Sequence, residues 1–253
     1  MTPNRRRGEI GHPNDKGWKQ VPDLRLVMFD FDGTLVDSQW AIARAMAEAF
    51  AAAGLPAPGA ERVRRVVGLR LETAVARLLP DGQDGPEGMD GEDALTASLA
   101  AGYREAFFRL RAQPDFHEPL MAGAKRALER LDHPQVVMGI ATGKGRRALA
   151  ASLERHGLSR HFATLKTADD GPGKPHPQIL LDAMAELGVA PEHTLVVGDT
   201  TYDMEMAVNA RVRALGVAWG YHDRRDLLAA GAERVLDEFA DMTLALVGLE
   251  DRP

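Results

Sequence analysis

The sequence predicts an α/β fold, in which a Rossmann-like parallel sheet carries helices on both faces. First, short apolar runs of strand length alternate with segments of helical periodicity. Second, a glycine followed by an aliphatic residue closes the helical segments at 54–55, 157–158 and 188–189, a pair typical of helix C-termini. Third, polar side chains directly follow the apolar runs, and ligands bind beyond the carboxyl ends of such strands.

Five apolar runs predict the strands of this sheet. In chain order they are residues 24–29, 135–141, 163–167, 194–197 and 214–217. After the first of them, Ser38 is the predicted N-cap of an alanine-rich helix that continues to Phe50.

Residues 39–115 interrupt the alternation, because their pattern is helical throughout, with apolar spacing in 60–79 and 94–110. We interpret this helical insertion as a small domain of its own. The α/β core would then comprise 23–38 and 116–253. Residues 1–22 are predicted to be a flexible polar leader.

A glycine-rich acidic loop is predicted at 81–93, within the helical insertion. If Asp81 began a calcium-binding loop, Gly85 and Pro86 would stand where an oxygen ligand and a glycine are needed. The calcium interpretation therefore fails, and a solvated loop is expected.

Composition limits the possible function classes. The chain has 253 residues, 45% of them hydrophobic, which excludes wholesale disorder. Its net charge of −6 is opposite to that of proteins that bind nucleic-acid backbones. It contains no cysteine, so no thiol nucleophile or cysteine-ligated metal is possible.

No apolar stretch reaches the roughly 18 residues needed to span a membrane. The basic run at 5–7 is followed by polar residues instead of an apolar segment, so no secretory signal is predicted. We therefore expect a cytoplasmic protein without a membrane or nucleic-acid partner.

Two carboxylates follow the first predicted strand, in Asp30-Phe31-Asp32-Gly33-Thr34. Asp30 and Asp32 can point to the same side at a strand exit, and Gly33 permits close approach of a ligand. Such a pair repels unless a cation intervenes, and carboxylate oxygens are ligands that Mg²⁺ prefers. The alternative is an Asx-turn leaving the strand.

A hydroxyl and a lysine follow the next two strands. Thr142-Gly143 can present a hydroxyl and a backbone N–H to an anion, although a plain Ser/Thr turn is the alternative. Lys174 lies before Pro175, His176 and Pro177, which fix the backbone around it. Its ammonium suits a phosphate, and a surface lysine before a helix is the alternative.

The fourth strand delivers a second pair of carboxylates, Asp199 and Asp203. Asp199 directly follows the strand, and Asp203 lies at a helix start, where an acid is also favoured by the helix dipole. Asp203 is therefore interpreted either as part of the site or as a helix-stabilising residue.

Four successive strand ends carry an acid pair, a hydroxyl, a lysine and a second acid pair. This order resembles the four motifs of the haloacid dehalogenase (HAD) superfamily of hydrolases. The resemblance covers about residues 24–249. The helical insertion looks like the α-helical cap domain of subfamily I. Within it the phosphoglycolate phosphatases are most similar, through Val67-Gly68-Leu69-Arg70-Leu71-Glu72 and Gly216-Val217-Ala218-Trp219-Gly220-Tyr221.

The resemblance implies a magnesium-dependent phosphatase acting on a small phosphorylated metabolite. Asp30 would be the nucleophile that forms an aspartyl-phosphate. Asp32 would protonate the leaving alcohol and then activate water. True dehalogenases lack this second aspartate, so Asp32 favours phosphate transfer.

The remaining site residues take their implied roles from the same resemblance. Phosphoryl oxygens would be held by Thr142, Lys174 and N–H groups near Gly33 and Gly143. Mg²⁺ would bind Asp30, the Asp32 carbonyl and Asp199, with Asp203 supporting Lys174 or the metal. The first-choice substrate is an acid such as 2-phosphoglycolate, with a sugar phosphate second; no oligomeric state is predicted.

Other functions fit less well. A β-phosphoglucomutase-like enzyme would have a histidine in the first cap helix, and residues 39–43 contain none. A pyrophosphatase or sugar phosphatase of the same superfamily stays open, while a non-enzymatic binding module would have lost a catalytic position. Neither a Walker motif nor the Gly-x-Gly-x-x-Gly of dehydrogenases is present. Arg70 is expected to be a solvent-facing helix residue, with contact to a substrate carboxylate as the alternative.

Overall fold

The structure is a computed structural model that describes residues 23–79 and 90–249, with side chains omitted at 90–93. The predicted leader at 1–22 lies outside the described residues. The same holds for positions 81–89 of the predicted acidic loop.

Within the described residues, six parallel strands form one sheet. They are β1 (Arg25–Phe29), β2 (Val136–Ala141), β3 (Thr164–Lys166), β4 (Thr194–Gly198), β5 (Arg213–Val217) and β6 (Arg234–Leu236). Their order is β3-β2-β1-β4-β5-β6. The five predicted strands are confirmed to within one residue at each end, and β6 is a strand that the sequence patterns did not predict.

Nine α-helices accompany the strands in the described part of the chain. They are α1 (Gln39–Ala52), α2 (Ala60–Val66), α3 (Leu71–Leu78), α4 (Asp90–Arg111), α5 (Ala124–Arg130), α6 (Arg146–His156), α7 (Gln178–Leu187), α8 (Thr201–Asn209) and α9 (Arg224–Ala229). Two apolar clusters cover the two faces of the sheet, which confirms the predicted α/β class.

The strand order reverses direction between β1 and β4, which are neighbours in the sheet although about 165 residues separate them. Phe29 of β1 lies level with Ile140 of β2 and Val197 of β4. The three strands therefore end side by side. In open α/β sheets such a reversal leaves a crevice beyond the carboxyl ends, where ligands bind.

Helices α1 to α4 have an apolar cluster of their own, which includes Phe50, Leu78 and Phe107. The apolar spacing at 60–79 predicted one helix, but the chain forms two, α2 and α3. Gly68 between them has φ of +96°, a left-handed conformation that interrupts a helix. The separate cluster supports our proposed division into a core and a helical insertion at 39–115.

The helix ends follow the sequence closely. Gly54, Gly157 and Gly188 have φ of +72°, +66° and +70°, as the glycine–aliphatic pairs predicted. Ser38 stands at the N-cap position of α1 but its side chain makes no capping bond. Among the described residues, no helix is both long enough and apolar enough to cross a membrane.

Candidate active site

Asp30 is the first residue after β1 and lies at the centre of the crevice. It is 1% exposed, and its N–H donates to the carbonyl of Val197 in β4 at 2.9 Å. Lys174 Nζ donates to its Oδ1 at 2.6 Å. Its Oδ2 is buried without a hydrogen-bond partner in the described part of the chain. A buried carboxylate oxygen left bare in this way is suited to bind a cation or to attack a ligand.

Lys174 joins two carboxylates. Its ammonium is buried between Asp30 Oδ1 at 2.6 Å and Asp203 Oδ1 at 2.5 Å. Burial alone would lower the pKa of Lys174, but the two carboxylates outweigh it and raise that pKa. Asp203 also forms a capping box with Thr200 at the start of α8. Asp203 therefore contacts Lys174 in the crevice and also stabilises the start of the helix.

Asp199 follows β4 directly and is fully buried. Thr34 Oγ1 donates to its Oδ1 at 2.8 Å, and the N–H of Tyr221 donates to its Oδ2 at 2.9 Å. A Cβ at Gly220 would lie 2.1 Å from the Cβ of Asp199, so only glycine fits there. These contacts fix the carboxylate of Asp199 in one position.

Oxygen atoms of Asp30, Asp199 and Asp203 lie within 4.8 Å of one another. Burial raises the pKa of Asp30 to about 7 against the opposing effect of Lys174, and Asp203 and Asp32 raise it further. Burial and the charges of Asp30 and Asp203 likewise raise the pKa of Asp199 well above its ordinary range. If all three buried acids were ionised, one ammonium would leave negative charge uncompensated, so this donor set fits a divalent cation.

The raised pKa of Asp30 predicts a pH dependence of stability in metal-free protein. The folded state holds the proton more tightly than the unfolded state, where the ordinary pKa is 3.8. The stabilisation from Asp30 is thus complete below about pH 4 and is lost as pH rises through about 7. In EDTA, denaturation from pH 5 to 8 should show wild type losing stability relative to Asp30→Asn. A constant difference between the two proteins would contradict the prediction.

Asp32 faces the same crevice and is 6% exposed. Its Oδ1 accepts from Ser38 Oγ at 2.7 Å and from Lys144 Nζ at 2.7 Å. Ser38 also lies 3.2 Å from the hydroxyl of Tyr221. The hydroxyl that the sequence assigned to capping α1 therefore orients Asp32 instead.

Lys144 is a site residue that the sequence patterns did not predict. Its side chain is 7% exposed and bridges Asp32 and Glu118, whose Oε1 is 3.3 Å away. Burial would lower its pKa, but Asp32 and Glu118 outweigh burial and raise it. The available signal was position, because Lys144 directly follows Thr142-Gly143 at a strand end.

Thr142 follows β2, and its buried Oγ1 accepts from the N–H of Lys144 at 3.2 Å. This is the Ser/Thr turn considered as an alternative, and it leaves the hydroxyl proton free for an anion. The N–H of Gly33 donates to the carbonyl of Val36 at 2.8 Å. A phosphoryl oxygen at this turn would therefore use the N–H of Asp32, which has no backbone partner among the described residues.

The turn between α2 and α3 packs directly on the loops of the crevice. A Cβ at Gly143 would lie 2.5 Å from the carbonyl oxygen of Leu69, and one at Gly173 would overlap the side chain of Arg70. Arg70 precedes α3 and donates to the carbonyl of Gly171 at 3.3 Å. The side chain of Arg70 is 43% exposed, so it is partly solvent-facing, and it also packs against the loop at Gly173 because the turn at Gly68 directs this segment toward the core.

Known proteins match this chain over most of its length. The family of haloacid dehalogenase-like hydrolases matches residues 27–217, a range that includes every predicted site residue from Asp30 to Asp203. The protein named "Probable phosphatase IndB" from Dickeya dadantii is 33% identical over 218 residues, covering 86% of this chain and 91% of that protein. A phosphoglycolate phosphatase from Pseudomonas putida is 33% identical over 230 residues, with coverages of 90% and 80%.

A solved structure shows the same architecture. The crystal structure of a hydrolase from Pseudomonas syringae has a TM-score of 0.74 at 28% identity. The match covers 86% of this chain and 95% of that one. The matched share of this chain is longer than the part that lies outside residues 39–115, so the match includes residues of the helical insertion.

Proposed function

The chain belongs to the haloacid dehalogenase-like hydrolase family, and from that premise we propose that it is a magnesium-dependent phosphatase that attacks a small phosphate monoester with Asp30. Its relatives include proteins named as phosphatases, and a phosphoric monoester hydrolase is the class they share with it. One observation carries the assignment of the nucleophile. Asp30 lines a cavity together with Asp32 and Thr142, and one of its carboxylate oxygens is held by Lys174 while the other has no hydrogen-bond partner among the described residues.

In the first step, Asp30 Oδ2 attacks phosphorus and the bond from phosphorus to the ester oxygen breaks. The leaving oxygen takes a proton from the carboxyl group of Asp32, so the products are an alcohol and a phosphorylated Asp30. Lys174 lies 2.6 Å from the other oxygen of Asp30 and compensates phosphoryl charge as it develops. The hydroxyl of Thr142 and the N–H of Asp32 hold phosphoryl oxygens.

In the second step, the Asp32 carboxylate takes a proton from water, and the resulting hydroxide attacks phosphorus. The bond from phosphorus to Asp30 breaks, inorganic phosphate leaves, and both aspartates return to their starting states. Ser38 and Lys144 hold Asp32 in place for both proton transfers. The α2–α3 turn over the site limits the entry of water before the intermediate has formed.

The metal fits the residues that surround the bare oxygen of Asp30. Asp30, the Asp32 carbonyl and Asp199 would hold Mg²⁺, and Asp203 would act through Lys174 or as a further oxygen ligand. When bound, Mg²⁺ supplies positive charge that offsets repulsion between the Asp30 carboxylate and an anionic phosphate ester.

Magnesium should stabilise the folded protein through Asp199. At 100 times the dissociation constant, binding contributes about 2.7 kcal/mol. That corresponds to a rise of roughly 5–10 °C in the thermal unfolding midpoint of a chain of this size. Wild type dialysed against EDTA should show the rise on adding Mg²⁺, and Asp199→Asn should lose it.

The matched control is Asp132→Asn, an exposed residue after α5. It should keep the full magnesium response. An Asp199→Asn protein that responds like wild type would remove Asp199 from the proposed metal site.

The overall proposal is tested by hydrolysis of an aryl phosphate with Mg²⁺ and with EDTA. We expect turnover only with the metal; absent turnover, or turnover that resists EDTA, would overturn it. The proposed substrate is a small phosphorylated metabolite, and the proposed location of the protein is the cytoplasm. 2-Phosphoglycolate, which matches the name of the P. putida relative, is the reference substrate.

A further inference from the structure

A cavity of about 400 Å³ adjoins the proposed nucleophile. Its lining includes Asp30, Asp32 and Thr142 on the core side, and residues of α1 to α4 on the other side. A phosphate placed at Asp30 and Thr142 would therefore direct its leaving group into this cavity. Cavities of about 300–1,000 Å³ enclose drug-sized ligands, so the volume exceeds what a two-carbon acid requires.

The wall toward the helical insertion is largely apolar. Ile42, Met46, Val66, Leu69 and Phe107 line it, each at most 8% exposed, beside the charged Arg70, Glu72 and Arg104. Tyr103 adds a ring whose centroid is 5.9 Å from that of Phe107. Its hydroxyl has no hydrogen-bond partner among the described residues. Apolar walls with few polar groups favour a ligand that buries hydrocarbon.

The cations that line the cavity are already engaged by the protein. Lys144 is paired with Asp32 and Glu118. Arg104 is paired with Glu72.

The two remaining arginines of the lining have partners as well. Arg70 donates to the carbonyl of Gly171, and Arg147 stacks on the ring of Phe108 at 4.3 Å. Arg70 is half-buried and Arg147 is exposed. Among the lining cations of the described residues, Lys144 and Arg104 are therefore committed to carboxylates of the protein, while Arg70 and Arg147 are at least partly exposed to solvent.

We propose that the preferred substrate is the phosphate monoester of an alcohol with an extended apolar body, preferably an aromatic one, rather than a two-carbon acid. This inference rests on the proposed phosphatase function and names the substrate class of the same site. The phosphate would lie at Asp30, the ester oxygen near Asp32, and the apolar body against Val66, Leu69 and Phe107.

The test compares 2-phenylethyl phosphate, ethyl phosphate and 2-phosphoglycolate by kcat/KM with Mg²⁺. The first two are esters of primary alcohols, so their leaving-group chemistry is similar and the phenyl group is the main difference. Burial of that group should raise kcat/KM by about 10- to 100-fold over ethyl phosphate. The kcat/KM for 2-phenylethyl phosphate should also exceed that for 2-phosphoglycolate. Equal values, or preference for 2-phosphoglycolate, would overturn the inference while leaving the phosphatase proposal intact.

Variants locate the effect in the cavity wall. Val66→Thr replaces a methyl group by a hydroxyl at nearly constant volume and should reduce the preference for the phenylethyl ester by about fourfold. Leu71→Gln makes a polar change at a half-buried lining residue and should also reduce the preference. The test therefore does not depend on the folding of the Val66→Thr protein alone. Leu228→Gln, at an exposed residue of α9, should leave the preference as in wild type. Unchanged preference in both cavity variants would contradict the proposed position.

Binding can be measured without turnover. Equal concentrations of 2-phenylethylphosphonate and ethylphosphonate are compared by thermal unfolding of wild type with Mg²⁺, and the first should give the larger rise. Equal rises would overturn the inference. A larger rise combined with no hydrolysis of any ester would instead overturn the phosphatase proposal and retain the apolar site.

Discussion

Asp30→Asn is expected to reduce turnover of every phosphate ester by on the order of 10⁴- to 10⁶-fold, as for loss of a nucleophile. Asparagine has nearly the same shape, but its amide cannot form the acyl phosphate. Because burial and neighbouring carboxylates disfavour the charged form of Asp30, the neutral substitute should not destabilise metal-free protein near pH 8. Single-turnover and steady-state kinetics, with thermal unfolding, measure both effects.

Asp132→Asn serves as the matched control, because it makes the same chemical change at an exposed residue. It should retain wild-type turnover. A folded Asp30→Asn protein with more than about 1% of wild-type kcat would exclude Asp30 as the nucleophile, since a missing nucleophile costs far more.

Asp32→Asn is expected to separate the two chemical steps. An aryl phosphate has a leaving group that departs without protonation, so phosphorylation of Asp30 should continue. The intermediate should then persist, because no carboxylate activates water. A burst of about one equivalent of phenol, followed by turnover reduced about 10²- to 10⁴-fold, is the expected result.

With an alkyl phosphate both steps need Asp32, so the burst should disappear with this substrate. Acid quench and intact-mass measurement should detect the added phosphate on the aryl-phosphate sample only. Equal losses for aryl and alkyl esters, without any accumulated phosphoprotein, would show that Asp32 does not act in proton transfer.

Lys144 links these predictions to the cavity. It holds Asp32 on one side and lies 5.0 Å from the ring centroid of Phe107 on the other. The residue that positions the proposed acid is thus itself packed against the proposed substrate wall. An apolar group bound against this wall should therefore affect the position of Asp32 through Lys144. Substrate choice would then be connected with proton transfer.

Much of the site could be predicted from local sequence. A buried strand has a recognisable apolar run, and the residue at which that run ends is fixed within one position. The amino-acid pattern therefore suffices to place Asp30, Thr142 and Asp199 at the same sheet edge. The position of Lys174 after the third strand predicts the same edge, and its contact with Asp30 at 2.6 Å fits that order.

Other features could not be predicted from local patterns. Ser38 has the sequence position of a helix cap, yet its hydroxyl lies 2.7 Å from Asp32 because the turn brings the two side chains together. Arg70 has the sequence pattern of a helix residue, but the left-handed turn at Gly68 redirects it.

The sequence by itself determined the sheet, the carboxylates and the lysine at its edge, because strand periodicity and strand ends are local properties of the chain. The tertiary structure decided which charges pair and what surrounds the leaving group. Lys144 reaches Asp32 across 112 residues, and Lys174 reaches Asp30 across 144. The apolar cavity exists only because the helical insertion packs against the loops at Gly143 and Gly173, and such long-range packing leaves no periodic signal in the sequence.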